Sequence, residues 1–182
     1  MPSSTDDPDR PPAPILDGRR IRLRPATVAD RDRLRDILLE PSVAQWWGPP
    51  RPGVDVADDW LEVDGDTVVF AIELQGDVIG SIQYSEETDP DYRHAGIDLF
   101  VATACQGQGL GTDAIRTLAR FLLEVRRHHR LVIDPSAANE RAIAAYRRVG
   151  FVPVGVMRAY ERGPDSTFHD GLLLDLLAND LT

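Results

Sequence analysis

The run Gln106-Gly107-Gln108-Gly109-Leu110-Gly111 lies between an apolar stretch and a helical pattern. Glycine lets the main chain come close to a bound phosphate because it has no side chain. A turn that opens a helix also directs main-chain N–H groups and the positive end of the helix dipole at an anion. The run therefore predicts a phosphate-binding turn, with tight packing as the alternative explanation of its glycines.

The expected ligand of this turn is not a dinucleotide. The glycine spacing is tighter than Gly-x-Gly-x-x-Gly, and the preceding strand is the fourth rather than the first. All 20 basic residues are arginine, so the chain has no lysine. Walker-type nucleotide loops and pyridoxal enzymes both require a lysine, and both classes are therefore excluded.

A second motif lies further along the chain, Asn139-Glu140-Arg141-Ala142-Ile143-Ala144-Ala145-Tyr146-Arg147-Arg148-Val149-Gly150-Phe151. Together the two motifs resemble the GCN5-related N-acetyltransferase (GNAT) superfamily, in the expected order and at the expected separation. That family has a Gln/Arg-x-x-Gly-x-Gly/Ala turn and an Asn-x-x-Ala-x-x-x-Tyr-x-x-x-Gly-Phe helix. The resemblance covers about residues 20–177, and the matching positions are Gln106, Gly109, Gly111, Asn139, Ala142, Tyr146, Gly150 and Phe151.

The order of predicted elements is that of an α/β domain. Strands are predicted at Arg20–Arg24, Thr67–Leu74, Val78–Tyr84, Ala95–Val101, Leu131–Ile133, Phe151–Met157 and His169–Leu176. Helices are predicted at Val28–Leu39, Pro41–Trp47, Val56–Val63, from Gly111 to about Arg126, and at Asn139–Val149. Residues 1–14, with five prolines, predict a disordered tail, and residues 15–182 a single domain.

The resemblance implies the GNAT fold, a mixed and mostly antiparallel sheet of six to seven strands flanked by helices. It also implies acetyl-coenzyme A as the donor, with its pyrophosphate on the glycine-rich turn and its pantetheine between two splayed strands, Ala95–Val101 and Leu131–Ile133. Arg141 is expected near the cofactor phosphates or, alternatively, on the solvated surface. The implied cofactor-binding residues are Phe100, Val101, Gln106, Gly107, Gln108, Gly109, Leu110, Gly111, Thr112, Asn139, Arg141, Ala142 and Tyr146.

The chemistry of acetyl transfer to an amine requires a route for the ammonium proton, a donor for the oxyanion and an acid for the thiolate. The resemblance implies Tyr146 as the acid, although an aromatic residue on a packed helix face is the alternative. It implies a main-chain N–H in Phe100–Thr103, at a strand bulge, as the oxyanion donor. Asp98 is the predicted base or amine-orienting group, because a carboxylate in an apolar strand is costly unless it is paired or faces a polar cleft. The alternative is the solvent face of the strand.

Four further segments are similar to the aminoglycoside 6′-N-acetyltransferases: Trp46-Trp47-Gly48, Glu86-Glu87-Thr88-Asp89-Pro90, Gly96-Ile97-Asp98 and Asp134-Pro135-Ser136. Aromatic faces stack on sugar rings, and carboxylates pair with the ammonium groups that these antibiotics carry. Core packing is the alternative for Trp47, and a turn cap for Asp134. The expected pocket for this cationic small-molecule amine consists of Trp46, Trp47, Glu86, Glu87, Asp89, Asp98 and Asp134.

Three other functions stay open from the sequence. The same scaffold serves acyltransferases that act on siderophore lysine-type amines and on protein N-termini. A coenzyme A-binding sensor without catalysis is a third, of a different class. A nucleophilic Cys105 is not expected, because no histidine lies near it in the sequence.

Composition narrows the partners further. The formal net charge of −10 argues against a nucleic-acid partner and suits a cationic substrate. No apolar run is long enough to span a bilayer, and no signal peptide is evident, so a cytoplasmic monomer or homodimer is expected. Cys105 is the only cysteine and the four histidines lack metal-ligand spacing, so no disulfide and no metal site are predicted.

Overall fold

The computed structural model describes residues 13–47, 52–62 and 66–182. Its strands are β1 (Leu16–Asp17), β2 (Arg22–Pro25), β3 (Thr67–Leu74), β4 (Asp77–Glu87), β5 (His94–Val101), β6 (Arg130–Ile133), β7 (Val152–Arg162) and β8 (Phe168–Leu177). Its α-helices are α1 (Arg31–Leu38), α2 (Pro41–Ala44), α3 (Val56–Leu61), α4 (Leu110–Arg120) and α5 (Glu140–Arg147). Most of the predicted tail, Gly48 of the Trp46-Trp47-Gly48 segment, and Val63 of the third predicted helix lie outside the described residues.

Within the described ranges the strands form one sheet in the order β1-β2-β3-β4-β5-β6-β8-β7. Neighbouring strands there are antiparallel apart from β5 and β6, which run parallel. The predicted α/β class with a mostly antiparallel sheet is confirmed. The described sheet has eight strands rather than six to seven, because β1 is a two-residue strand, too short to leave a periodic pattern in the sequence.

The sheet opens between β5 and β6. These strands pair only at Ala95 with Leu131 and at Gly96 with Val132. Beyond that point β5 continues to Val101 alongside β4, whereas β6 ends at Ile133. A wedge-shaped gap therefore lies between the second half of β5 and the end of β6, as the splayed strands of the predicted fold require.

Helix α4 covers one face of the sheet. Ile115, Leu118 and Leu122 recur at helical spacing and are buried, but Val125, the next residue at that spacing, is 67% exposed. A π-helical turn, Phe121–Val125, follows α4, and the Arg126 N–H donates to the carbonyl of Phe121, five residues earlier. The wider turn changes the helical phase within it, which explains why Val125 faces solvent.

A second apolar cluster joins helices α1 to α3 to the end of β5. Leu34, Ile37, Trp60 and Phe100 are buried in it. The rings of Trp60 and Phe100 meet edge to face, with their centroids 4.8 Å apart. This packing fixes the segment around α2 against the open half of β5.

Candidate active site

A cleft of about 330 Å³ lies in the gap between β5 and β6. The turn before α4, one face of α5 and residues of the segment Ser42–Trp47 complete its walls, so both sequence motifs meet in one place. The predicted cofactor-binding residues that line it are Phe100, Val101, Gln106, Gly107, Gly109, Leu110, Gly111, Thr112, Asn139, Arg141, Ala142 and Tyr146. Gln108 does not line it; its exposed side chain donates to the carbonyl of Ala104 at 2.7 Å.

The glycine-rich turn has the geometry of an anion site. Gly107 and Gly109 have φ angles of 74° and 77°, in the left-handed region that favours glycine. The Asp113 N–H bonds the carbonyl of Gly109, so the N–H groups of the turn just before it have no acceptor within the helix. The Gln106 side chain ties the turn to the end of β5 by donating to the carbonyl of Val101 at 2.8 Å. These features fit a bound pyrophosphate.

The open half of β5 offers a main-chain donor to the cleft. The register between β4 and β5 is unbroken from Gly80–Val101 to Glu87–His94, so the implied bulge is absent from this pair. The Ala102 N–H donates to Ile79 and the Thr103 N–H to the Glu40 carboxylate. Since N–H directions alternate along an antiparallel strand, the N–H of Val101 points away from β4, into the gap.

Asp98 lies on β5 in the wall of the cleft. Burial raises the pKa of its carboxyl group to about 6, the Asp134 charge adds to this, and a hydrogen bond from Gln83 Nε2 at 3.2 Å opposes it. A carboxylate with that pKa is mostly ionised at neutral pH and is basic enough to take up a proton.

Tyr146 lies on α5 opposite Asp98, and only 7% of it is exposed. Burial, together with the charges of Asp98 and Asp134, raises the pKa of its hydroxyl well above the ordinary value. The phenol is therefore protonated throughout the neutral pH range and always has a proton to donate. Its ring also packs on Phe151, with centroids 6.2 Å apart, so the core packing expected as an alternative accompanies its place in the cleft.

Asp134 follows β6 and lines the cleft beside Asp98. Its carboxylate accepts a hydrogen bond from the Tyr160 hydroxyl, which raises the pKa of that phenol to about 12. A third carboxylate, Glu161 on β7, also lines the cleft and accepts a hydrogen bond from Ser136, while burial raises its pKa. Tyr160 and Glu161 were not expected from the sequence.

Trp46 and Trp47, which follow α2 in the chain, line one wall of the cleft. Trp47 packs edge to face on Trp60 at 5.1 Å while still lining the cleft, so it serves the second core cluster as well. Trp46 also lines the cleft, and its buried Nε1 has no hydrogen-bond partner among the described residues.

The acidic segment Glu86–Asp89 lies away from the cleft. Glu86 and Glu87 belong to β4 itself, paired with Ala95 and His94, rather than to a loop. The Glu86 carboxylate is bound by Arg126 at 2.8 Å and by His128 at 2.7 Å, and it does not line the cleft. Glu87 and Asp89 are exposed and outside the cleft as well. These three expected pocket residues are corrected: a cationic side chain already neutralises the first, and the other two face solvent.

Two arginines of the α5 segment line the cleft. Arg141 is exposed on α5 and lines the cleft, and Arg148, just after α5, lines it too. Asn139 caps α5 by accepting a hydrogen bond from the Ala142 N–H at 3.1 Å. Cys105 also lines the cleft, and its expected lack of a nucleophilic role stays a prediction.

In residues 13–47, 52–62 and 66–182, no cluster of three or more histidine, cysteine or acidic side chains is arranged to hold a metal ion. Across the same ranges, none of the helices has the length and apolarity needed to cross a membrane.

Residues 20–152 match the model of the acetyltransferase (GNAT) domain. The aminoglycoside N(6′)-acetyltransferase type 1 of Klebsiella pneumoniae is 32% identical over 155 residues, 75% of this chain and 76% of the relative. The solved structure of AAC(6′)-Ib with paromomycin and acetyl-coenzyme A is 28% identical, with a TM-score of 0.72 over 88% of this chain and 95% of that one. Mycobacterium smegmatis RimJ, 23% identical, has the same fold, with a TM-score of 0.80 over 92% and 89%. The chain belongs to the GNAT family of acetyltransferases and uses acetyl-coenzyme A.

Proposed function

We propose that this enzyme transfers the acetyl group to a primary amine of a small polycation, the 6′-amine of an aminoglycoside. The observation that carries the proposal is the set of three carboxylates, Asp98, Asp134 and Glu161, which line the same cleft as the glycine-rich turn and Tyr146. Several partly buried carboxylates around one small cleft favour a ligand with several positive charges.

On the donor side, acetyl-coenzyme A supplies an acetyl group activated as a thioester. The N–H groups of residues 107–112 bind its phosphates, and the N–H of Val101 holds the thioester oxygen and the charge that develops on it. Arg141 and Arg148 in the cleft add positive charge for the phosphates. This arrangement leaves the carboxylates of the cleft to the amine.

On the acceptor side, the Asp98 carboxylate pairs with the ammonium group and takes its proton. Its pKa of about 6 makes this possible at neutral pH and stops it in acid. Tyr146 keeps its proton until it passes it to the departing sulfur, and the second proton that the nitrogen loses on acylation restores the phenol. Each of the two groups is thus in the protonation state that its step needs.

The rest of the substrate contacts the remaining walls. Asp134 and Glu161 pair with further ammonium groups, and the faces of Trp46 and Trp47 stack on the sugar rings. The names of the Klebsiella relative and of the AAC(6′)-Ib complex support this substrate, and a donor abundant in the cytoplasm supports a cytoplasmic location.

The decisive experiment is a thiol-release assay with acetyl-coenzyme A across kanamycin, tobramycin, lysine derivatives and N-terminal peptides. Mass spectrometry and NMR then locate the acetyl group. We expect turnover of the aminoglycosides with acetylation at the 6′-amine. Turnover of peptides or lysine derivatives alone would reject the substrate and keep the acetyltransferase, whereas acetylation of another ring amine would reject the position only.

A further inference from the structure

Strand β7 is distorted next to the cleft. Met157 pairs with Gly171 and Glu161 pairs with His169, so three residues of β7 face the single residue Asp170 of β8. In the middle of this bulge, Ala159 has a φ of 48°, in the left-handed region that residues other than glycine rarely adopt. The Asp170 carboxylate stabilises that conformation by accepting a hydrogen bond from the Ala159 N–H at 2.8 Å.

The bulge changes the direction of the next side chain, Tyr160. Its ring crosses β8 directly over Gly171, where an added Cβ would come within 2.8 Å of the Tyr160 Cδ1 atom. Only a glycine at this position leaves room for the ring. Bulges beside active sites commonly re-aim a side chain in this way. The Tyr160 hydroxyl consequently reaches the Asp134 carboxylate and donates to its Oδ2 atom.

Tyr160 itself does not line the cleft, whereas Asp134 does. The Tyr160 hydroxyl bonds the Oδ2 atom of Asp134 and leaves the Oδ1 atom for a ligand. An aspartate side chain that makes no hydrogen bond can adopt several rotamers. A hydrogen bond to its charged carboxylate restricts the side chain to the rotamer that makes the bond. Tyr160 thus acts through Asp134.

We propose that Tyr160, aimed by the β7 bulge, is a positioning residue that holds the Asp134 carboxylate beside Asp98, so that the two carboxylates together bind the reacting amine. This rests on the proposed function for the identity of the amine alone. The charged and titratable groups that face the pair are Tyr146 from α5 and Glu161 from β7, with His169 of β8 next to Glu161 and the Gln83 amide of β4 on Asp98.

The first test is Tyr160→Phe, which keeps the ring over Gly171 and removes only the hydroxyl. We expect the KM for the amine to rise about tenfold, the KM for acetyl-coenzyme A to stay constant and kcat to change less. Tyr92→Phe is the matched control, because Tyr92 is 73% exposed and far from the cleft in the fold. Gly171→Ala displaces the ring and is expected to change the amine KM in the same direction.

The second test needs no substrate. In NMR titration of ¹³C-labelled aspartate carboxyl groups, assigned with Asp98→Asn, we expect a midpoint of about 6 for Asp98 in the parent protein. In Tyr160→Phe the Asp134 charge is no longer held alongside, and we expect the midpoint to fall. A merely structural role of Tyr160 would leave it unchanged.

If Tyr160→Phe matches Tyr92→Phe in both the amine KM and the Asp98 midpoint, the positioning role is wrong. If the parent acetylates no aminoglycoside while the midpoint still falls in Tyr160→Phe, the substrate proposal is wrong and the positioning role stands, with its kinetic arm moved to the amine that is turned over. Should Gly171→Ala fail to fold, the two tyrosine variants carry the test without it.

Discussion

Burial of the Asp98 carboxylate changes both its pKa and the way the stability of the protein depends on pH. Its pKa is raised, first by burial and then by the charge of Asp134, to about 6. The folded protein therefore binds its proton more tightly than the unfolded chain does. The stability associated with that proton is present in acid and is lost as the pH rises towards about 6, so at neutral pH the charged form is held at a cost.

The first prediction concerns that residue. Asp98→Asn should lower kcat about a hundredfold and remove the fall in kcat/KM that the parent enzyme shows below about pH 6. The same variant should unfold at a higher temperature than the parent at pH 8, since the cost of the buried charge is gone, with the difference shrinking in acid. Rate profiles and thermal unfolding at several pH values measure both. A parent profile without an acidic limb near that pH would exclude Asp98 as the proton acceptor.

The second prediction separates the acid from the binding residues. Tyr146→Phe should lower kcat about ten- to a hundredfold with little change in either KM, because the phenol acts on the thiolate that forms late in the reaction. Steady-state kinetics with both substrates measure this. A large rise in KM at constant kcat would instead assign Tyr146 to substrate binding.

At the scale of elements, the sequence predicts the features that depend on local geometry and does not predict those that depend on contacts between distant residues. The glycine-rich turn and the helix that follows it depend on local geometry, so the sequence predicts them well. Glu86 is acidic and next to turn residues, which indicates a loop; its partners Arg126 and His128 lie 40 and 42 residues away, beyond any local pattern. The Tyr160 bulge leaves no periodic trace either, because a non-glycine left-handed residue such as Ala159 is stabilised by a contact from the neighbouring strand.

The third prediction concerns the turn before α4. An added Cβ at Gly111 would meet Val101 Cγ2 at 3.5 Å and Leu99 Cδ1 at 3.8 Å, which are ordinary contacts, and its φ is not positive. Gly111→Leu should therefore leave the fold intact but extend a side chain into the cleft and weaken coenzyme A binding about tenfold or more. Calorimetry and circular dichroism measure the two effects.

Gly155→Leu is the control for this change, because an added Cβ at Gly155 meets nothing within 4 Å. It should leave coenzyme A affinity at the parent value. Equal affinities for Gly111→Leu and the parent would reject the phosphate-binding role of the turn.

The fourth prediction concerns the buried group that joins β4 to the end of the π-helical turn. Burial raises the pKa of Glu86, but hydrogen bonds from Arg126 and His128 outweigh this effect and hold the pKa below its ordinary value. The pKa of His128 is also below its ordinary value, because burial disfavours the charged imidazolium. Both groups release protons on folding, so their stabilisation is present at neutral pH. It weakens as the pH falls below 6.5, where the unfolded histidine becomes charged, and again below 4.5.

Glu86→Gln should accordingly lower the free energy of unfolding by about 3 kcal/mol at neutral pH, because Arg126 loses its buried partner. Glu87→Gln, the exposed neighbour, should change it by less than about 0.5 kcal/mol. Urea unfolding at pH 7.5 measures both. An unchanged free energy of unfolding in Glu86→Gln would mean that the ion pair contributes nothing to the stability of the fold. Activity of the folded variant should stay near the parent value, since Glu86 lies outside the cleft.

At the scale of the whole molecule, both signs of charge meet in one cleft. The chain carries a net charge of −10, and the cleft is lined by the arginines Arg141, Arg148 and Arg162 as well as by the carboxylates Asp98, Asp134 and Glu161. The arginines suit the phosphates of the anionic donor and the carboxylates suit the ammonium groups of a cationic acceptor, so the two substrates are drawn to different side chains of the cleft.

The last prediction follows from this arrangement of charges. With acetyl-coenzyme A saturating, the KM for an aminoglycoside should rise steeply as the ionic strength increases from about 0.05 to about 0.5 M, while kcat changes little. Salt screens both the long-range attraction by the acidic surface and the exposed part of each carboxylate–ammonium pair. A monoamine acceptor makes one such pair and should show a much shallower rise. Glu161→Gln removes one pairing site and should reduce the slope for the polycation but leave that of the monoamine unchanged. If the two acceptors give the same slope in the parent enzyme, salt acts on the protein in general and the acidic wall does not select the substrate by its charge.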